Sequence, residues 1–174
     1  MKKFLSWTVV IALSVALVAI VAFIALYINV VGVFGESMQN TLQSGDFVMV
    51  ENFFYNPQHG DIVMVHKKDK QSSFPIVKRV IAVAGDTINL NRGNGEVYLN
   101  GTLLNEPYIA ETMSANYGNS DYPQTVPENH IFVMGDNRNH SEDSRHEEVG
   151  MVEKDRIIGK VIMRILPLSS FEFL

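Results

Sequence analysis

Residues 60–65 of this 174-residue chain are Gly-Asp-Ile-Val-Met-Val. This pattern, a Gly-Asp pair followed by a short and mainly apolar run, occurs three times and decides the class of fold. Residues 45–50 are Gly-Asp-Phe-Val-Met-Val, and residues 85–90 are Gly-Asp-Thr-Ile-Asn-Leu. Glycine and aspartate favour turns, whereas short apolar and β-branched runs favour strands. Each Gly-Asp pair is therefore predicted to be a turn that leads into a strand, with no catalytic role of its own.

An Asn-Gly pair at positions 100–101 predicts a hairpin. It separates the runs 97–99 and 102–104, and a type I′ turn prefers these two residues because both take a positive φ. Runs 131–134 and 157–165 predict further strands, and no long window outside the first 35 residues has a helical period. The predicted fold class is mainly β, with antiparallel sheets behind an N-terminal transmembrane helix.

The first part of the chain is strongly apolar. No residue from Phe4 to Gly35 carries a charge, and this run is much longer than the roughly 20 residues that span a bilayer. A cleavable signal peptide is the alternative, but its apolar region covers only about 7–15 residues. The sequence therefore predicts an uncleaved transmembrane anchor at residues 5–30.

The charges that flank the anchor predict its orientation. Lys2 and Lys3 precede it, and basic flanks stay in the cytoplasm. Residues 1–4 are therefore predicted to be a cytoplasmic N-terminus, and residues 31–174 an extracytoplasmic domain. The predicted location is the cell membrane, in a single pass in contact with lipid.

Charge and composition exclude several classes of partner and cofactor. Without the two N-terminal lysines, 12 basic residues remain against 19 acidic ones, a net charge of −7 that argues against nucleic acid. The absence of cysteine excludes a thiol nucleophile and a Cys-ligated zinc site. His146 has no second histidine four residues later, where Gly150 stands, so no metal or other cofactor is predicted.

Ser37 and Lys78 are the candidates for chemistry. Lys78 lies within the apolar run 76–81, and burial of an ammonium group favours its neutral, basic form. A free lysine has a pKa of about 10.4, so half-neutrality near pH 8 costs about 3 kcal/mol, which desolvation can supply. A plain edge-strand lysine whose ammonium group reaches water is the alternative, and it is the more common case for an isolated lysine.

The polar segment 135–145 directly follows an apolar strand, a position where loops often carry function. Arg138 and His140 occupy places where a calcium loop of the EF-hand type needs oxygen ligands, so that interpretation is disfavoured. A Ser-His-Asp triad through Ser141 is conceivable, but spacing alone does not select one.

Three motifs follow the anchor in a fixed order. They are Gly-Glu-Ser-Met-Gln-Asn-Thr-Leu at 35–42, Val-Lys-Arg-Val-Ile at 77–81 with Gly-Asp at 85–86, and Gly-Asp-Asn-Arg at 135–138 with Ser141, Asp143, Ser144 and Arg145. Together they resemble the motif boxes of bacterial type I signal peptidases, in the short Gram-positive form. The resemblance covers nearly the whole chain, and it implies the antiparallel β-sheet fold of that family.

The resemblance also implies roles for single residues. Ser37 corresponds to the nucleophile and Lys78 to the general base, with the backbone N–H of Ser37 in the oxyanion hole. Ser141 corresponds to a serine that hydrogen-bonds the lysine. Asp143 and Arg145 correspond to an ion pair that shapes the loop beneath the site.

Two positions depart from the family pattern. Asn40 occupies the place of the usual proline, so the backbone after Ser37 loses a fixed φ. Gly35 occupies a place where some members have a serine whose hydroxyl adds an oxyanion donor. The oxyanion hole is therefore expected to depend more on backbone groups.

The implied activity is removal of signal peptides from exported preproteins by a membrane-anchored serine endopeptidase that cleaves after small residues of Ala-x-Ala type. Signal peptides of secreted preproteins are the expected partners. Two alternatives stay open at this point: a protease dedicated to one pilin or conjugation precursor, and a weakly active homologue that serves as a membrane-anchored binding module.

Overall fold

The computed structural model describes residues 6–53, 55–67, 74–115, 117–118 and 121–174, without the side chains of residues 24 and 25. The predicted cytoplasmic residues 1–4 lie outside the described residues. Within them, the chain forms one α-helix, α1 (Trp7–Tyr27), followed by twelve strands. The strands are β1 (Ile28–Gly32), β2 (Phe47–Glu51), β3 (Ile62–Val65), β4 (Ile76–Val83), β5 (Thr87–Asn91), β6 (Glu96–Leu99), β7 (Thr102–Leu103), β8 (Gln124–Thr125), β9 (His130–Met134), β10 (Val152–Glu153), β11 (Ile157–Leu166) and β12 (Glu172–Phe173), with one-turn helices at Lys154–Arg156 and Leu168–Ser170.

The helix α1 lies within the predicted anchor, and the chain enters β1 at Ile28. Aromatic contacts hold its last turn against the segment after β2: the ring centroids of Phe23 and Tyr27 lie 5.2 and 4.9 Å from that of Phe53. The N–H of Asn52 also donates to the carbonyl of Tyr27 at 3.2 Å. Among the described residues, no helix combines the length and the hydropathy that a membrane span needs.

Two antiparallel sheets account for the strands in the described residues. The larger sheet has the order β1-β2-β11-β3-β4-β9-β10, with β12 paired to β11, and the smaller has the order β7-β6-β5-β8. The predicted mainly β, antiparallel fold is confirmed. Strand β11 lies between β2 and β3, so the last long strand joins two parts of the sheet that come much earlier in the chain.

The three Gly-Asp turns share one hydrogen-bond pattern, which we call the Gly-Asp clip. Each glycine has a positive φ, of 99°, 85° and 89° in chain order, which glycine adopts without strain. Each aspartate carboxylate accepts a hydrogen bond from the N–H three residues earlier, at 2.8 to 3.0 Å. The clips confirm the structural interpretation of these pairs. Their aspartates are Asp46, Asp61 and Asp86, and the corresponding N–H donors belong to Gln43, Gln58 and Val83.

The predicted hairpin is also present. Asn100 and Gly101 have φ values of 51° and 80°, as a type I′ turn requires, and they join β6 to β7. Apolar side chains from the smaller sheet pack against β4 and β9 of the larger one. A second apolar cluster lies between β1, β2, β3 and β11, and it includes the fully buried Leu42 and the almost fully buried Met38.

Candidate active site

Ser37 lies in the turn between β1 and β2, and we call residues 36–42 the serine turn. Its backbone closes on itself where the N–H of Leu42 donates to the carbonyl of Met38 at 2.8 Å. The side chains of both residues are buried in the apolar cluster described above. The side chains of Met38 and Leu42 thus anchor the turn in the core. This anchoring fixes the backbone of the neighbouring Ser37.

Lys78 lies on β4 and contacts Ser37 directly. Its Nζ donates to the Ser37 Oγ at 2.6 Å and to the Val77 carbonyl at 3.0 Å. Only 3% of Lys78 is exposed. The structure thus brings together two residues that are 41 positions apart in the sequence.

Burial lowers the pKa of Lys78 from 10.5 to about 8. Desolvation is the largest cause, because a buried ammonium group loses its hydration. The charge of Asp143 acts in the opposite direction and raises the pKa, as does Glu142, whereas Lys67 and Arg145 lower it. A lysine with this pKa is neutral in about a tenth of molecules at pH 7 and in half of them near pH 8, and the neutral amine can accept a proton.

Ser141, Asp143 and Arg145 form a buried group next to the end of β9. Arg145 contacts both carboxylate oxygens of Asp143, at 2.7 and 2.8 Å, and the N–H of Gly135 donates to the same carboxylate at 2.8 Å. Burial alone would raise the pKa of Asp143, but Arg145, Ser141 and Gly135 hold it below its ordinary value. The expected ion pair between Asp143 and Arg145 is present.

The partner of Ser141 differs from the expected one. Its hydroxyl donates to the Asp143 carboxylate at 2.6 Å, and among the described residues it forms no hydrogen bond with Lys78. A hydroxyl has one proton, and the fully buried carboxylate is a stronger acceptor than an amine that already donates to Ser37. The carboxylate therefore takes the Ser141 proton.

Several residues to which the sequence assigned no individual role complete the site. The N–H of Asn137 donates to the Ser37 carbonyl at 3.1 Å, and its side-chain amide donates to the Glu36 carbonyl at 3.2 Å. Gly135 allows this close approach, because a Cβ at this position would overlap both the Ser37 carbonyl and the Ser141 side chain. The motif Gly-Asp-Asn was visible in the sequence, but its contact with the serine turn was not.

Asp136 links the serine turn to the lysine strand β4. It accepts a hydrogen bond from the Thr41 hydroxyl and two from Arg79, at 2.7 and 2.8 Å. The guanidinium of Arg79 also lies over the ring of Tyr108, 4.0 Å from its centroid. Arg79 follows Lys78 in β4, so these two successive side chains lie on opposite faces of the sheet at this site.

A largely apolar cleft of about 870 Å³ opens beside Ser37 and Lys78. The edge strand β1 borders it on one side, and on the other lies the start of β4, which pairs with β9 only from Arg79 onward. Among the described residues no group accepts a hydrogen bond from the Ser37 N–H. A free N–H next to a serine hydroxyl can stabilise an oxyanion that forms there. The cleft is lined by residues 31–35, Ser37, Met38, Met64, Lys67, residues 74–77 and Lys78.

A serine in contact with a buried lysine of lowered pKa, beside an apolar cleft with free backbone edges, is the arrangement of a hydrolase that acts on extended peptides. The comparisons with known proteins agree. The family model described as signal peptidase, peptidase S26, matches residues 4–166. The chain belongs to this family, and the predicted enzyme class, a serine endopeptidase of signal peptidase I type, is confirmed.

Individual relatives resemble most of the chain. Signal peptidase IB of Staphylococcus aureus strain MRSA252 is 33% identical over 99% of this chain and 94% of the relative. Probable signal peptidase I-1 of Synechocystis is 38% identical over 78% of this chain and 70% of the relative. The alignment with probable signal peptidase I-2 of Synechocystis, at 36% identity, spans 61% of that relative. A crystal structure of a signal peptidase I from Enterococcus faecalis V583 is 30% identical, covers 63% of this chain and 99% of that chain, and has a TM-score of 0.49.

Proposed function

We propose that this chain is a membrane-anchored serine endopeptidase that removes signal peptides from exported preproteins, with Ser37 as nucleophile and Lys78 as general base. The observation that carries the proposal is the 2.6 Å contact between Lys78 Nζ and Ser37 Oγ, together with a lysine pKa of about 8. Lysines of strongly lowered pKa are typical of catalytic sites, because a general base needs a pKa near the working pH. This contact therefore favours catalysis over binding alone.

The reaction then follows in two stages. Neutral Lys78 accepts the Ser37 proton as Oγ attacks the scissile carbonyl carbon, and the Ser37 N–H stabilises the negative charge on the carbonyl oxygen. The lysine next gives the proton to the leaving amine, and the acyl-enzyme remains on Ser37. Lys78, again neutral, removes a proton from a water molecule as that water attacks the ester carbonyl. The bond to Ser37 Oγ then breaks, Lys78 returns the proton to Oγ, and the signal peptide leaves with a free carboxylate.

The cleft supports an extended substrate. Its walls include the edge residues 31–35 and the start of β4 near Val77, and an extended peptide between them adds a strand to each edge. The apolar lining, which includes Val33 and Met64, favours uncharged side chains before the scissile bond. The preference for small residues of Ala-x-Ala type comes from the family resemblance.

Groups around the reacting pair have supporting roles. Asp143 and Arg145 hold the loop at the end of β9 by way of Gly135, and Ser141 completes that hydrogen-bond network. Because the Ser141 hydroxyl donates to Asp143, we assign it to the shape of the loop and to the orientation of the Asp143 carboxylate.

The anchor at residues 5–30, the cytoplasmic residues 1–4 and the extracytoplasmic domain 31–174 remain part of the proposal. The uncharged helix α1 exposes apolar side chains on all sides, including Val15, Leu17 and Val18 at more than 60% exposure, which is typical of a helix with an apolar surrounding. A preprotein is held in the same bilayer by its own apolar segment, so a tethered enzyme meets it at a raised effective concentration.

The test compares Ser37→Ala, Lys78→Ala and the double variant on a fluorogenic peptide with Ala-x-Ala before the scissile bond. Each single variant should lose cleavage down to the background rate while staying folded, and the double variant should be no worse, because the two residues act as one unit. Lys160→Ala is the matched control, since it removes a lysine that pairs with Asp61 outside the cleft lining. Substantial turnover by either single variant would overturn the assignment.

A panel of unrelated secreted preproteins distinguishes general processing from processing of one precursor. A general signal peptidase cleaves most of the panel at the junction after the small residues. An enzyme that cleaves a single pilin or conjugation precursor and leaves the rest intact would contradict the proposed substrate range.

A further inference from the structure

Arg164, on β11, connects the serine turn to two other segments. Its Nη1 donates to the Thr41 carbonyl at 2.9 Å and to the Asp46 carboxylate at 3.2 Å. Its Nε donates to the Ser170 carbonyl at 2.6 Å, and its Nη2 donates to the Glu172 carboxylate at 2.9 Å. Only 12% of the side chain is exposed, so a nearly buried guanidinium binds four acceptors from three parts of the chain.

Thr41 is the point at which the serine turn is held from both sides. Its hydroxyl donates to Asp136, which lies in the loop after β9. Its carbonyl accepts from Arg164, which lies on β11. Because the hydrogen bond from Leu42 to Met38 closes the turn, a movement of Thr41 is transmitted to the start of the turn, where the nucleophile lies. Without Arg164 the Thr41 carbonyl loses this side-chain donor, and Thr41 is held through its hydroxyl by Asp136 and by Arg79, whose Nη2 donates to it at 3.3 Å.

We propose that Arg164 is a positioning residue for the cleavage reaction, which keeps the Ser37 Oγ within hydrogen-bonding distance of Lys78. The inference rests on the proposed role of Ser37 as nucleophile. Attack on a carbonyl requires reacting atoms about 3–3.5 Å apart in the right alignment, and a displacement of about 1 Å can lower the rate about 100-fold. A guanidinium is suited to this role because it can bind a backbone carbonyl and a carboxylate at once.

The chain contains a matched control on the same strand. Lys160 also lies on β11 and also pairs with the aspartate of a Gly-Asp clip, Asp61, at 2.7 Å. Its side chain makes no contact with the serine turn among its described hydrogen bonds. Comparison of Lys160 with Arg164 therefore separates the loss of a clip ion pair from the loss of the other Arg164 contacts, to Thr41, Ser170 and Glu172, and a change at Glu172 tests the last of these.

The experiment measures kcat, KM and thermal midpoint for Arg164→Gln, Arg164→Lys, Lys160→Gln and Glu172→Gln on the fluorogenic peptide. Arg164→Gln should lower kcat about 10- to 100-fold with the pH midpoint unchanged, because Lys78 keeps its surroundings. KM should change by less than about threefold, since the cleft is intact. Arg164→Lys should recover part of kcat, because an ammonium group can still donate to the Thr41 carbonyl. Lys160→Gln and Glu172→Gln should stay within about twofold of the unaltered enzyme.

Equal kcat values for Arg164→Gln and Lys160→Gln would overturn the proposal, and so would a raised KM with unchanged kcat. If Arg164→Gln does not fold, Arg164→Lys decides: a kcat equal to that of the unaltered enzyme refutes the positioning role. Ser37→Ala in the same assay keeps the two proposals apart. Cleavage by Ser37→Ala refutes the proposed function, whereas an inactive Ser37→Ala beside a fully active Arg164→Gln refutes only the role of Arg164.

Discussion

Cleavage should increase with pH through a midpoint near 8, because only neutral Lys78 can accept the proton of Ser37. The pKa of Lys78 falls from 10.5 to about 8 on burial, a difference of about 3 kcal/mol. At pH 7 a lysine with the ordinary value would be neutral in about 0.03% of molecules, and a lysine with a pKa of 8 in about 9%. Burial therefore supplies about 300 times more base at neutral pH.

Two charged residues near the cleft can move this midpoint in opposite directions. Lys67 lowers the pKa of Lys78 and Glu142 raises it, and the two form an ion pair at 2.7 Å. Lys67→Met should therefore raise the midpoint, and Glu142→Gln should lower it. The two side chains are 25% and 50% exposed, so water screens them, and each change is worth about 0.2–1 kcal/mol. Near pH 7, Lys67→Met should be slower than the unaltered enzyme and Glu142→Gln faster.

The assay is the pH dependence of kcat/KM for the fluorogenic peptide from about pH 6 to 10, which reports on the free enzyme. Lys160→Met serves as the control, because it removes a lysine whose ion pair with Asp61 lies outside the cleft lining. The midpoint is the measured quantity, so a change in substrate affinity does not imitate the effect. A flat profile, or shifts of the same sign in Lys67→Met and Glu142→Gln, would refute the reasoning.

Three further predictions follow from the buried lysine, the packed loop and the anchor. Lys78→Met should abolish cleavage yet raise the free energy of unfolding at neutral pH by up to about 3 kcal/mol, because the folded chain binds the lysine proton less tightly than the unfolded chain. This gain should shrink between pH 8 and 10.5, where the unaltered protein becomes more stable as Lys78 loses its proton, and denaturation curves against pH check it. Gly135→Ala should cost about 1–3 kcal/mol of stability and most of kcat, because its Cβ overlaps the Ser37 carbonyl and Ser141; a normal kcat would contradict the close approach. Protease added to intact cells should digest residues 31–174, whereas release of a soluble form without the apolar run would show a cleaved signal peptide in place of an anchor.

The sequence predicts the local structure well because the signals are local. A Gly-Asp or Asn-Gly pair defines its own turn, and β3 begins and ends as its apolar run indicates. The apolar neighbours of Lys78 along β4 made its burial one of two alternatives, and the structure shows that it is buried. The family resemblance adds the pairing of Lys78 with Ser37, which neither residue's own neighbours indicate.

The contacts between distant segments could not be predicted in the same way. From the motif alone, the Ser141 hydroxyl could bond to Lys78 or to Asp143. Only the packing of the loop decides that Asp143 receives its proton. The contact from Arg164 to Thr41 joins residues 123 positions apart, and it depends on a register shift in β11 beside β2. The hydrophobic pattern of either segment alone does not predict that register.

The place of β11 between β2 and β3 also sets the moment in biosynthesis at which the enzyme can become active. Until residues 157–166 have been made, β2 and β3 have open edges that face each other without a partner. The part of the sheet that carries Ser37 and the part that carries Lys78 then have no strand to join them, although both were synthesised much earlier. An incomplete chain therefore lacks the strand that joins the proposed nucleophile to the proposed base, and we expect proteolytic activity only after synthesis has passed this strand.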